Sequence, residues 1–232
     1  MTVDFAGIKV DNVTLAKAIK KLEEFVAAGT PHLIVTPNPE MIVGSQDDAM
    51  LKQILNNADL RLPDGISMVV VSRILGKPLK ERVSGIDFLL EATKDKKYKI
   101  FLLGSAEDVV KKAAEKLGAA GYHHGYFKED QAVISEIKKV RPDILFAGLG
   151  GGRQEKWLAK YLKELNVPVC MGVGGSLDVV SGIKKRAPVW IQKLYIEWLY
   201  RLIMEPWRWK RQLALPKFLW YSFTRWKRRS KI

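Results

Sequence analysis

Four short apolar runs constrain this chain more than any other feature: LIVT (33–36), YKIFLLG (98–104), DILFAGLG (143–150) and VPVCMGVG (167–174). Each is bounded by Gly, Pro or charge, and none alternates strictly between apolar and polar residues. That is the pattern of strands buried on both faces of a parallel sheet. Amphipathic stretches such as EDVVKKAAEKL (107–117) and QAVISEIKKV (131–140) lie between them. Strand and helix signals in alternation predict an α/β fold, with a parallel sheet flanked by helices. Ligands of such sheets bind beyond the carboxyl ends of the strands. Three of the runs enter loops there: Thr36-Pro37-Asn38-Pro39, Gly104-Ser105 and the glycines of 148–152.

The character changes after Gly175. Trp190, Ile191, Leu194, Tyr195, Trp198, Leu199, Leu202 and Ile203 recur in pairs every four residues. This spacing predicts one helix with a broad apolar stripe. Lys193, Glu197 and Arg201 would then form an ion-pair ladder along one face. Pro206 is expected to end the helix, and a second short helix to follow Pro216. The division predicted is a core over 1–188 and a helical appendage over 189–232. Lys193, Glu197 and Arg201 interrupt 189–203, so a membrane-spanning helix is not expected. The N-terminus, MTVDFAGIKV, has no basic region followed by a long apolar run, so no signal peptide is expected.

Charge is concentrated in the appendage. Of a formal net charge of +14, nine positive charges fall in residues 206–232, which hold nine Lys/Arg, no Asp or Glu, and four of the seven Trp. Cations interleaved with large aromatics suit an anionic, partly apolar surface, and a bilayer interface fits best. Single-stranded nucleic acid is the rival, because bases also stack on aromatics. No RNP1 or KH signature supports that rival, and no strand–GxGxxG–helix unit supports a nicotinamide-dependent oxidoreductase. The apolar stripe also suits a second copy of the chain, a homo-oligomer. The lone cysteine, Cys170, lies in an apolar run and reads as packing rather than as a nucleophile.

Three constellations are candidates for chemistry. In Leu62-Pro63-Asp64-Gly65, a carboxylate sits in a tight turn. Downstream, Arg82 in GKPLKERVSGIDFL (76–89) is a candidate phosphate ligand. Gly148-Leu149-Gly150-Gly151-Gly152-Arg153-Gln154-Glu155 follows a strand and opens a helix, a placement that favours anions. Gln154 there is either a ligand contact or a helix-cap residue. Thr36 and Asn38 form the third constellation, at the end of the first strong strand. Asp47-Asp48 reads as a solvated helix face. His123-His124 reads as a loop rather than a metal site.

These residues, with their surroundings, resemble the WecG/TagA/CpsF glycosyltransferases. The similarity runs through ADLRLPDGISMVVVSRILGKPLKERVSGIDFL (58–89), IFLLGSAEDVVKKAAEKL (100–117), GYHHGYF (121–127), RPDILFAGLGGGRQEKWL (141–158), VGGSLDVVSGIKKRAP (173–188) and EWLYRLIMEPWRWKR (197–211). It is nearest the family's TagA-type members. The resemblance implies a Rossmann-like fold with a membrane-binding C-terminal appendage. It implies inverting, metal-independent transfer of N-acetylmannosamine from UDP to undecaprenyl-diphosphate-linked N-acetylglucosamine, in a β-1,4 linkage, at the committed step of wall teichoic acid linkage-unit synthesis. N-acetylmannosaminuronic acid, glucose and galactose stay open as alternative donor sugars. The enzyme would sit peripherally on the cytoplasmic face of the cell membrane, where the lipid acceptor emerges.

Residue by residue, the resemblance makes Asp64 the general base. Thr36, Asn38, Arg82, Gly148, Gly150 and Gln154 would line the donor and acceptor pocket, and Arg201, Arg208 and Arg211 would meet the lipid diphosphate. No metal or other cofactor is implied. Those three arginines would share a face if the helix persisted through Pro206. The family usually has Pro where Gly152 stands here, which leaves the loop path before Gln154 open.

Overall fold

The computed structural model describes the backbone of residues 1–229 and the side chains of that range apart from Arg208 and 225–229. The chain opens with an antiparallel hairpin, β1 (Thr2–Phe5) and β2 (Ile8–Asp11). Then come helix α1 (Leu15–Ala28), β3 (His32–Val35), α2 (Pro39–Gly44), α3 (Ala49–Asn57) and β4 (Leu60–Arg61). Next are α4 (Ile66–Ile74), α5 (Gly85–Thr93), β5 (Ile100–Gly104), α6 (Glu107–Leu117) and β6 (Gly121–His123). The core closes with α7 (Asp130–Val140), β7 (Ile144–Gly148), α8 (Arg153–Leu165), β8 (Val169–Gly172) and α9 (Ser176–Ser181).

Strands β3 to β8 form one parallel, Rossmann-like sheet in the order β4-β3-β8-β7-β5-β6. The apolar runs become its central strands because alternate residues are buried on opposite faces. Ile144 and Phe146 of β7 pack with α1, α5 and α6, whereas Leu145 and Ala147 pack with α3, α4, α7 and α8. Burying about 25 cal/mol per Å2 of apolar surface on both faces holds the layers together. Cys170 is fully buried, and burial pushes its thiol up to about 12.

The appendage departs from the sequence expectation. Residues 190–203 form two helices, α10 (Val189–Lys193) and α11 (Glu197–Met204), rather than one. The chain breaks at Tyr195, whose φ of 59° is left-handed. Lys193 is thereby removed from the expected ladder, and only the Glu197–Arg201 pair forms, at 2.9 Å. A 3-10 turn at Pro206–Arg208 leads into α12 (Trp209–Gln212). The helix therefore does not persist through Pro206, and Arg201 and Arg211 reach the pocket from separate helices. The last helix, α13 (Ala214–Arg229), starts before Pro216 and is longer than expected. Pro216 fits because the first turn of a helix needs no N–H donor there.

Helix α13 packs chiefly on α2, and also on α4. Phe218 is fully buried, with its ring centroid 5.7 Å from that of Phe5 in the hairpin. The side chains of Arg208, Trp226 and 227–229, and the whole of residues 230–232, lie outside what the structure describes. No helix among the described residues is long and apolar enough to cross a membrane.

Candidate active site

A pocket of about 1220 Å3 lies at the carboxyl edge of the sheet. Loops after β3, β4, β5, β7 and β8 supply one side, and α11 and α12 supply the other. Thr36, Asn38, Asp64, Arg82, Gly148, Gly150, Gln154, Arg201 and Arg211 all line it. Thr36, Asp64, Gly148 and Gln154 meet in one cavity because every parallel strand ends on the same edge, and α11 and α12 bring Arg201 and Arg211 to it.

Asp64 is placed by backbone hydrogen bonds. Its N–H donates to the Pro37 carbonyl (3.1 Å), and the Val83 N–H donates to the Pro63 carbonyl (2.9 Å). Gly65 follows with a φ of 106°, which reverses the chain into α4. The carboxyl group is raised to about 6, foremost by burial. Arg82, Arg201 and the Gly85 N–H pull it down, and Glu197 pushes it up. A carboxylate with this pKa is ionised at neutral pH yet basic enough to take a proton from a hydroxyl.

Around Asp64 is an ion cluster that sequence reasoning found only in part. Arg82 Nη2 is 3.3 Å from Glu197 Oε2 and 3.4 Å from Asp87 Oδ2. Asp87 also accepts from Ser84 Oγ (2.5 Å) and pairs with Arg186. Burial alone would raise Asp87, but Ser84 and the two arginines outweigh it and hold its carboxyl low. Glu197, Asp87 and Arg186 were not singled out as site residues. The sequence carried one local signal for them, the Ser84-x-x-Asp87 cap at the start of α5.

Thr36 is buried at the end of β3. Asn38 caps α2, its Oδ1 accepting from the Met41 N–H (2.9 Å), so its amide nitrogen is the part not engaged in the cap. The glycine loop is built for close approach, since a Cβ on Gly148 would lie 2.7 Å from the Gly174 carbonyl. Gly150 and Gly152 have φ of 91° and 77°. Proline is locked near −65°, so a family-type Pro cannot occupy position 152 on this path.

Gln154 is 4 % exposed and its amide has internal partners. Oε1 accepts from the Gly174 N–H (3.0 Å), and Nε2 donates to Glu155 Oε1 (2.8 Å). Glu155 Oε2 in turn accepts from the Gly152 N–H (3.0 Å). Gln154 lines the pocket and ties the β7 loop to the β8 loop, while the capping contact at the start of α8 is made by Glu155 rather than by Gln154. Asp48 caps α3 and pairs with Lys156 rather than standing on a solvated helix face. His123 ends β6 rather than lying in a loop, and its Nδ1 donates to the His124 carbonyl (2.8 Å).

Ser105, Asp178 and Lys184 form a further wall. Ser105 Oγ donates to Asp178 Oδ1 (3.0 Å), and Lys184 bridges Asp178 Oδ2 (3.0 Å) and Glu205 Oε1 (3.2 Å). The N-termini of α6 and α8 border the same pocket. Their partial positive charge favours a phosphate group. Among the described residues, no group of three or more His, Cys, Asp or Glu is placed to hold a metal ion.

A basic carboxylate, converging guanidinium groups and helix N-termini on a Rossmann-like edge define a pocket suited to group transfer from an anionic donor. The sequence pattern of the glycosyl transferase WecG/TagA/CpsF family matches residues 3–232, and the chain belongs to that family. It is 38% identical over 218 residues, 89% of this chain and 85% of its relative, to the N-acetylglucosaminyldiphosphoundecaprenol N-acetyl-beta-D-mannosaminyltransferase of Bacillus subtilis (strain 168). The protein of the same name from Staphylococcus aureus (strain MW2) is 35% identical, covering 99% of this chain and 94% of its own length.

Proposed function

We propose that the chain transfers N-acetylmannosamine from UDP-N-acetylmannosamine to undecaprenyl-diphosphate-linked N-acetylglucosamine, forming a β-1,4 bond. The observation that carries this reading is the pocket that gathers Asp64, Arg82 and Arg201 at the carboxyl edge of the sheet, where burial raises the Asp64 carboxyl. Family membership along the whole chain, and the name shared by both relatives, supply the sugar and the acceptor.

In the proposed step, Asp64 takes the proton from the acceptor C4 hydroxyl. The freed oxygen attacks the donor anomeric carbon from the face opposite UDP. A C–O bond forms, the bond to the diphosphate oxygen breaks, and UDP leaves with the electron pair. Arg82, Arg201, Arg208, Arg211 and the N-termini of α6 and α8 are assigned to the diphosphate charges, so the transfer proceeds without a metal. Thr36 and the free amide nitrogen of Asn38 are assigned to sugar or phosphate oxygens. A panel of nucleotide sugars, tested with a lipid-linked N-acetylglucosamine acceptor and scored by product mass, checks the reading. Product from UDP-N-acetylmannosamine is expected, and product from another donor alone would reject it.

The appendage is assigned to peripheral docking on the cytoplasmic membrane face. Exposed Trp190, Trp198, Trp207, Trp209 and Trp220, beside Lys210, Arg211 and Lys217, support this. Binding to phosphatidylglycerol liposomes should weaken as salt rises. Replacing Trp207, Trp209 and Trp220 together by Ala should reduce flotation with those liposomes about tenfold or more. Unchanged flotation would remove the membrane assignment.

A further inference from the structure

Glu155 and Glu197 are the two carboxylates buried to 5 % exposure or less among the described residues. The loop network of Gln154 and Gly152 accounts for Glu155. Glu197 is different, because it belongs to the appendage yet faces the centre of the core site. Its Oε2 lies 3.3 Å from Arg82 Nη2, and its Oε1 lies 2.9 Å from Arg201 Nη2. Oε1 is also 3.9 Å from Arg186 Nε, a buried nitrogen with no hydrogen-bond partner.

The charged groups around it come from every element packed there. Asp64 is in the turn before α4, Arg82 in the loop before α5, Asp87 on α5, Arg186 before α10, and Arg201 on α11. Counting Glu197, three carboxylates face three guanidinium groups. Arg82 directs Nη2 to Glu197 and Asp87 rather than to Asp64. Without Glu197, the largely buried Arg82 would be left with Asp64 and Asp87 as its anions. An Arg82–Asp64 pair would then form, covering the oxygen that must accept a proton and stabilising its charged form.

We propose that Glu197 is the positioning residue of this site: it holds Arg82 and Arg201 as phosphate-facing cations and keeps the Asp64 carboxylate free to act as base. This deepens the transferase reading and rests on it. It also explains why Glu197 and Arg201 sit one helical turn apart on α11. One helix thus supplies both the carboxylate that holds Arg82 and the second cation, Arg201.

Glu197→Gln in the full chain tests it. Misplacing catalytic groups by about 1 Å costs on the order of 10²-fold, and a loss up to that order is expected mainly in kcat. The acid limb of kcat/KM should also move to lower pH, because Asp64 loses a like charge and gains Arg82. Glu197→Asp keeps the charge and should keep the limb near its original position. A Glu197 with a purely structural role would lower activity in both variants without moving the limb. Wild-type rate and an unmoved limb in Glu197→Gln would overturn the proposal. The Asp64 carboxyl, followed by NMR in the unliganded protein, gives the same readout without substrate. It should titrate near 6 in the wild type and lower in Glu197→Gln. An unmoved titration sinks this inference, whereas a wild type inactive on the proposed substrates sinks the reading beneath it.

Discussion

Asp64→Asn is expected to lower kcat by roughly 10²–10⁴, the usual worth of a positioned base. The amide keeps the size of the side chain and the backbone bonds to Pro37 and Pro63, so fold and UDP binding should persist. The pH profile is the sharper readout. The wild-type carboxyl is raised to about 6, so kcat/KM should fall as pH drops through that value, and the variant should lack this limb. Stability is expected to move the other way. A carboxyl whose folded pKa exceeds its ordinary 3.8 favours the fold only while protonated, and that contribution is lost as pH rises through about 6. Above pH 6 the buried charge costs at most about 2–3 kcal/mol. Asp64→Asn should therefore melt no lower than wild type at pH 8, and any gain should vanish between pH 6 and 4. Near-normal turnover, or a retained acid limb, would remove Asp64 from the role of base.

Much of this site was legible because its parts sit at strand ends, where sequence marks them locally. Asp64 lies between Pro and Gly, Thr36 ends an apolar run, and the 148–152 glycines punctuate another. What escaped was set by contacts that no local pattern encodes. The ladder reading puts Glu197 on one helical face with Lys193 and Arg201, because periodicity reports which residues share a helix side, not what that side meets. Tyr195 gave no helix-breaking signal, yet its left-handed φ turns α11 into the pocket. The N-terminal hairpin was also hidden. Its two-residue turn is Ala6-Gly7, both with positive φ, where Asn-Gly would have announced it. Gln154 was visible as a residue, but its role depended on Gly174, twenty positions away in β8's loop.

Removing residues 189–232 should reduce transfer by more than about 10²-fold, and the reason is the shared architecture of the pocket rather than anchoring alone. The deletion takes away Glu197, Arg201, Arg211 and the wall formed by Tyr195, Trp198, Gln212 and Leu215. It also strips Phe218 from Phe5 and α13 from α2, so the melting temperature should fall. Loss of one buried Phe contact is worth about 3–5 kcal/mol where the site cannot collapse. The six-stranded sheet and both of its helix layers lie within 1–188, so a folded remnant is expected. A short-chain, water-soluble acceptor separates the two explanations. An appendage that only anchors would leave activity on that acceptor intact, because a soluble substrate needs no bilayer. An appendage that completes the site would leave the truncated protein inactive on soluble and membrane acceptors alike. The second outcome is expected, since Asp64 without α11 keeps Arg82 but loses both Glu197 and Arg201. Full activity on the soluble acceptor would confine the appendage to docking, and the catalytic site to the core.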